Sequence, residues 1–272
     1  MLTIADLEYG QRRKIIEDCQ LPIEDRKSKI KIIILLTDFG QSEYVGVMKG
    51  VIYSIDHRAQ IVDLCHSVSS QNIIEALWIL KNSYKYFPKG SVFCCVVDPG
   101  VGSQRRALAV KTTHYYFVAP DNGLLWESLK EQEVIDIREI PIPSDASHTF
   151  HGRDMFAPAA AKISLGKFDE LGEKVGQIER LELYQDSGRG LVVRIDSFGN
   201  IITNIPKQGN GRYSVKIGEK TYQMNYRENY SAAKQGELFL IEGSNRTLEI
   251  SLKNGSANEK LFAKAGQIVE IS

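Results

Sequence analysis

The sequence predicts an α/β protein with two parts: an N-terminal layered α/β domain with a mostly parallel sheet, then a small C-terminal β-barrel. Two observations carry this. From Ile30 onward, apolar β-branched runs alternate with segments of helical spacing, the pattern of buried strands covered by helices. Near Asp186 the character changes. Short strand-like runs separated by polar turns dominate from there on. The expected divisions are residues 1–29 as an N-terminal extension, 30–187 as the α/β domain and 188–272 as the barrel.

The extension mixes both charge signs and reads as a short helix around Leu7 to Asp18. IKIIILL, starting at Ile30, is a fully buried strand ending in TDFG (Thr37–Gly40). Tyr44, Val47, Met48, Val51 and Ile52 give Gln41–Tyr53 helical spacing. Gln60–Leu64 is a short strand. Asn72–Tyr84 is a helix with Ile73, Leu77, Leu80 and Tyr84 on one face. Ser91–Val97 is the next strand. Ala107–Thr112 and Tyr115–Ala119 form a strand pair closed by the PDNG turn, Pro120–Gly123. Leu124–Leu129 starts a helix, and Phe156–Leu165 is an alanine-rich one. The barrel runs are Leu191–Ile195, Tyr213–Ile217, Lys220–Asn225, Leu238–Ile241, Leu248–Leu252 and Gln267–Ile271.

Bulk properties exclude several function classes. Lys plus Arg and Asp plus Glu both total 34, so no basic footprint for nucleic acid exists. The longest apolar runs, such as Ile32–Leu36, are too short to span a bilayer. The first twenty residues contain no continuous apolar core of a signal peptide. Cys19, Cys65, Cys94 and Cys95 form no CxxC pair. Adjacent Cys94 and Cys95 point to opposite faces of a strand, against a zinc site or a disulfide framework and for a cytoplasmic protein.

The chemistry-bearing residues cluster at strand ends. Asp98 ends the Ser91–Val97 strand, Pro99, Gly100 and Gly102 force a turn, and Arg105 and Arg106 follow. Open α/β sheets present ligand-binding groups at such positions. His151, in TFHGRD, could join Asp98 and Arg105 in holding a water. Asp38 ends the first strand, as a ligand for ribose hydroxyls or as a helix N-cap. No GxGxxG follows that strand. In DSFGN, Asp196 and Asn200 bracket a turn, and Phe198 could stack on a planar base.

TDFG, VDPGVGSQRR, PDNGLL, TFHGRDMFAPAAA and DSFGNIITNI occur in that order. Together they resemble the S-adenosylmethionine (SAM) hydrolases, or SAM hydroxide adenosyltransferases, from roughly Ile30 to Ser272. The resemblance implies hydrolysis of SAM to adenosine and methionine without a metal or other cofactor. It implies a homotrimer, with SAM between one subunit's α/β domain and a neighbour's barrel. Asp98, Arg105 and His151 match the catalytic set. Asp38 matches the ribose-gripping acid and Asp196 the acid near the methionine amino group. Phe198 and Asn200 match the adenine-binding turn, Ser244 the methionine-carboxylate region, and Ala257 a further substrate-binding position. Fluorinases of the same superfamily have Tyr where Asp98 stands and Ser where Gly152 stands, so the hydrolase is expected over the halogenase. One departure is Arg246, where the family often has Gly; the segment also ends in Ser251 rather than Ala. Two other readings stay open: a SAM- or adenosine-binding protein without turnover, and a metal-dependent hydrolase using Asp38, Asp98, Asp121 and His151.

Overall fold

A computed structural model describes residues 31–272; the extension, its expected helix and Cys19 lie outside the described residues. Six strands form the first sheet: β1 (Ile32–Thr37), β2 (Gln60–Cys65), β3 (Val92–Val96), β4 (Ala107–Thr112), β5 (Tyr116–Pro120) and β6 (Val134–Glu139). Their order is β2-β1-β3-β5-β4-β6. β2, β1, β3 and β5 pair in parallel, and β4 runs against both its neighbours. The mostly parallel sheet is therefore as expected.

The alternation of side chains across each strand sorts the core into two layers. Ile33, Leu35, Cys94 and Val96 face α1 (Glu43–Ile55) and the alanine-rich α4 (Ala157–Ser164). Ile34, Leu36, Phe93 and Cys95 face α2 (Ile73–Ser83) and the short α3 (Trp126–Leu129). Cys94 and Cys95 thus lie on opposite faces, both fully buried and free. The alanines of α4 let it approach α1 closely over the sheet.

β7 (Arg189–Ile195), β8 (Ile201–Pro206), β9 (Arg212–Ile217), β10 (Lys220–Tyr226), β11 (Leu238–Glu242), β12 (Thr247–Leu252) and β13 (Ile268–Ile271) close into a barrel in the order β10-β11-β12-β8-β7-β13-β9. A one-turn helix, α5 (Ala257–Leu261), lies between β12 and β13. α2 is buried nearly all round, from Glu75 to Leu80, because it sits between sheet and barrel. Trp78 packs on Leu191 and Val193 of β7, and Glu75 lies 3.4 Å from Arg194.

Three elements depart from expectation: β6, β8 and α5 were not anticipated. β6 is half-exposed at the sheet edge and carries charges, β8 lies directly behind the DSFGN turn, and α5 is too short to show a period. The helix expected from Phe156 is preceded by a π-turn, Gly152–Phe156, of the kind that recurs at functional sites. Among the described residues, no helix is long and apolar enough to cross a membrane.

Candidate active site

Strand order reverses between β1 and β3, the switch point where open α/β sheets bind ligands. Asp38 follows β1 and Asp98 lies just beyond β3. Both line a cleft of about 280 Å³ with Ser42, Gln71, Val101 and the Thr149–Gly152 segment.

The loop after β3 is tied into shape by its own hydrogen bonds. Val101 N–H donates to the Asp98 carbonyl, and the Ser103 hydroxyl donates to Gly100 and accepts from Arg105 N–H. Gly102 has φ +77°, and a β-carbon there would sit 2.4 Å from the His148 carbonyl. Only glycine lets this loop reach the segment that carries His151. From below, Asn122 of the PDNG turn donates to the Val97 carbonyl at 3.0 Å, holding the backbone beside Asp98.

Asp98, Arg105 and His151 form one connected set. Arg105 Nε donates to Asp98 Oδ1 at 2.8 Å, and Nη2 donates to Oδ2, making a two-pronged fork. Nη2 is also 2.8 Å from His151 Nδ1. A guanidinium has no acceptor, so Nδ1 accepts this bond and the neutral imidazole carries its proton on Nε2. The side chains of Asp98 and Arg105 are 6% and 11% exposed, and His151 is 3% exposed. Burial, then the Arg105 charge, lowers the His151 pKa below its ordinary value, against the smaller opposite pull of Asp98. Arg105 also lies over the Phe156 ring at 5.3 Å.

Asp38 is not a helix N-cap. Ser42 occupies the N-cap of α1, while Asp38 Oδ2 accepts the Gln71 N–H at 2.7 Å from the loop beyond β2. Phe39, Tyr44 and Phe150 meet edge to face at centroid separations of 4.8–6.0 Å and form an aromatic wall. The sequence reading missed this wall. Phe39 and Phe150 adjoin Asp38 and His151 in the chain, and that adjacency was the available signal. Gly152 lines the same cleft; a β-carbon there would approach Met48 Sδ and Phe150 Cε2 at 3.1 Å, so a larger residue is crowded.

Asp121 belongs elsewhere. It pairs with Arg106 at 2.5 Å and accepts the Glu179 N–H, outside the cleft wall. The four-residue metal set considered from sequence therefore does not assemble. Among the described residues, no three His, Cys, Asp or Glu side chains gather as a metal-binding group.

The barrel holds the other candidates. Asp196 Oδ1 accepts the N–H groups of Phe198 and Asn200, and Oδ2 accepts the Asn200 amide. The carboxylate thus builds the turn that displays Phe198, whose ring is 77% exposed. Asn258 N–H donates to Gly199 O and anchors the turn on α5. Asp196, Phe198 and Asn200 line a cleft of about 550 Å³ with Tyr230 and Asn254. Ser244 lines another of about 650 Å³ with Asp196, Arg194 and Trp78. Ala257 is fully buried in the barrel core and lines none of these clefts. Arg246 has φ +60°, the left-handed conformation in which glycine is the usual residue. Neither barrel cleft shares a residue with the cleft at Asp98.

Such a fold defines an α/β–barrel protein with a polar cleft at the sheet's switch point. Residues 33–172 match the SAM hydroxide adenosyltransferase N-terminal domain, and residues 190–270 match the C-terminal domain. The chain belongs to the SAM hydroxide adenosyltransferase family. A Thermus thermophilus protein named (R)-S-adenosyl-L-methionine hydrolase is 34% identical over 255 residues, 88% of this chain and 98% of the relative. A Methanocaldococcus jannaschii protein of the same name is 39% identical, covering 67% of this chain and 70% of its own length. A crystal structure of a conserved Thermotoga maritima protein superposes with a TM-score of 0.81 at 36% identity, covering 88% of this chain and all of that one.

Proposed function

We propose that this chain hydrolyses SAM to adenosine and L-methionine, by attack of one water at ribose C5′. The carrying observation is the connected Asp98–Arg105–His151 set, of which Asp98 and His151 line the same cleft as Asp38, in a chain of this family. The relatives' name specifies the (R) sulfonium, and the same isomer is the substrate proposed here.

SAM's leaving group departs as a neutral thioether and needs no acid. The difficulty lies with the nucleophile, because bulk water has a pKa of about 15.7. Asp98 accepts a hydrogen from the water and aims a lone pair at C5′. The water oxygen bonds to C5′, the C5′–S electron pair moves to sulfur, and the surplus proton passes to Asp98 and then to solvent. His151 acts as a donor. With Nδ1 taken by Arg105, its Nε2–H is left to donate, so the accepting role falls to Asp98 alone. Arg105 supplies fixed positive charge that favours developing hydroxide. Asp38 accepts the ribose hydroxyls and holds C5′ in line, where positioning contributes most. No cofactor is required.

Phe198 supports a site completed by two copies. Its exposed ring and the separate clefts suit a homotrimer, with Phe198 and Asn200 of one subunit closing on a neighbour's Asp98 cleft. Free Cys65, Cys94 and Cys95 suit a reducing, cytoplasmic setting.

The test is incubation of EDTA-treated protein with SAM, with products separated by liquid chromatography. Adenosine and methionine in equal amounts support the hydrolase. Retention of SAM without turnover makes this a binding protein, and no binding at all removes the reading.

A further inference from the structure

We propose that His66 is a positioning residue: it fixes the TDFG turn, and with it Asp38, through hydrogen bonds made by its ring and its carbonyl. This rests on the reading that Asp38 grips the ribose hydroxyls.

The contacts begin on the surface. Lys49 of α1 donates to Asp63 Oδ2 of β2 at 2.6 Å. Asp63 Oδ1 lies 2.9 Å from His66 Nε2, a close polar contact without hydrogen-bond geometry. A carboxylate at Nε2 holds the ring proton on that nitrogen. His66 Nδ1 is then an acceptor, and the Thr37 hydroxyl stands 2.8 Å from it. With its proton committed to His66, Thr37 Oγ1 offers a lone pair to the Phe39 N–H at 3.3 Å. The His66 carbonyl accepts the Gly40 N–H at 2.7 Å. Residues on both sides of Asp38 are therefore tied to His66. The same loop supplies the Gln71 N–H that orients the Asp38 carboxylate.

Two features favour positioning over plain packing. Thr37 is fully buried at the end of β1, where a valine would fill the same volume and cost no polar partner. The hydroxyl has instead two partners, the His66 ring on one side and the Phe39 N–H of the turn on the other. Neither Thr37 nor His66 lines the cleft, so neither touches substrate.

The experiment compares two ligands by calorimetry, adenosine and 2′,3′-dideoxyadenosine, which lacks the hydroxyls that Asp38 would accept. Thr37→Val is expected to weaken adenosine about tenfold, the worth of one well-placed hydrogen bond, and to leave the dideoxy ligand within about twofold. Thr37→Ser keeps the hydroxyl and restores adenosine binding. Asp63→Asn, at a 44% exposed side chain, spares the buried core and releases the ring proton; it is expected to weaken adenosine about threefold and the dideoxy ligand not at all. Equal weakening of both ligands, or failure of Thr37→Ser to restore binding, overturns the positioning role. A wild-type protein with no preference between the two ligands defeats the ribose reading of Asp38 itself, and the proposal with it.

Discussion

The switch-point cleft and the barrel turn solve opposite problems. At the cleft, the largely buried side chains of Asp98, Arg105 and His151 hold one another, so their geometry is set before any ligand arrives. On the barrel, Asp196 uses both oxygens to build a turn that displays an exposed phenylalanine ring. One region holds charges that must not move. The other offers a flat apolar surface that gains only when something covers it. The contrast separates chemistry from grip, and mutations in the two places are expected to fail differently.

The largest effect belongs to the cleft. Asp98→Asn is expected to lower kcat about a hundredfold or more with folding retained, because a general base typically contributes that much. Steady-state rates beside a thermal melt check this, and near-normal turnover removes Asp98 from its role.

Next comes pH. The His151 pKa is lowered, first by burial and then by Arg105, so the ring is neutral at pH 7. Protonation would set two cations together and break the bond to Nδ1. Turnover should fall about tenfold per pH unit below the depressed value, which lies under 6.5, and stay level between there and neutrality. The sign for stability is the same. The folded state prefers the neutral ring, so this contribution is full above about 6.5 and fades as pH falls through the folded value. His151→Gln keeps an acceptor and a donor without titrating, and should abolish the acid limb. An unchanged limb would assign it to another group.

On the barrel, Phe198→Ala should raise KM about tenfold and leave kcat and the melting temperature nearly alone, since stacking on a base contributes about 1–3 kcal/mol and the ring is exposed. A large fall in kcat would break the division between grip and chemistry. Smallest is Arg246→Gly. Relief of the left-handed backbone should stabilise by about 1 kcal/mol or less, read from urea unfolding. A coincident rise in KM would show that Arg246 also contacts substrate.

Much of the cleft was legible because its residues sit at strand ends, where an apolar run stops at a single acid. TDFG and VVDPG announce themselves that way. The aromatic wall did not, since Phe150 is more than a hundred residues from Phe39 and Tyr44 in the chain and meets them only in the fold. The direction of the His151 hydrogen bond was also invisible. Only the placement of Arg105 Nη2 against Nδ1 leaves Nε2 as the donor of the ring. Ala257 illustrates a different limit. It lies in α5, a helix with no readable period, and its methyl group went to the core.

α2 carries a further consequence. It is wedged between sheet and barrel, with Trp78 against β7 and Glu75 beside Arg194. A chain cut near residue 187 would bare that tryptophan and strand a buried carboxylate, so the first domain is not a self-sufficient module. The sheet and the barrel are therefore expected to melt together, in a single thermal transition.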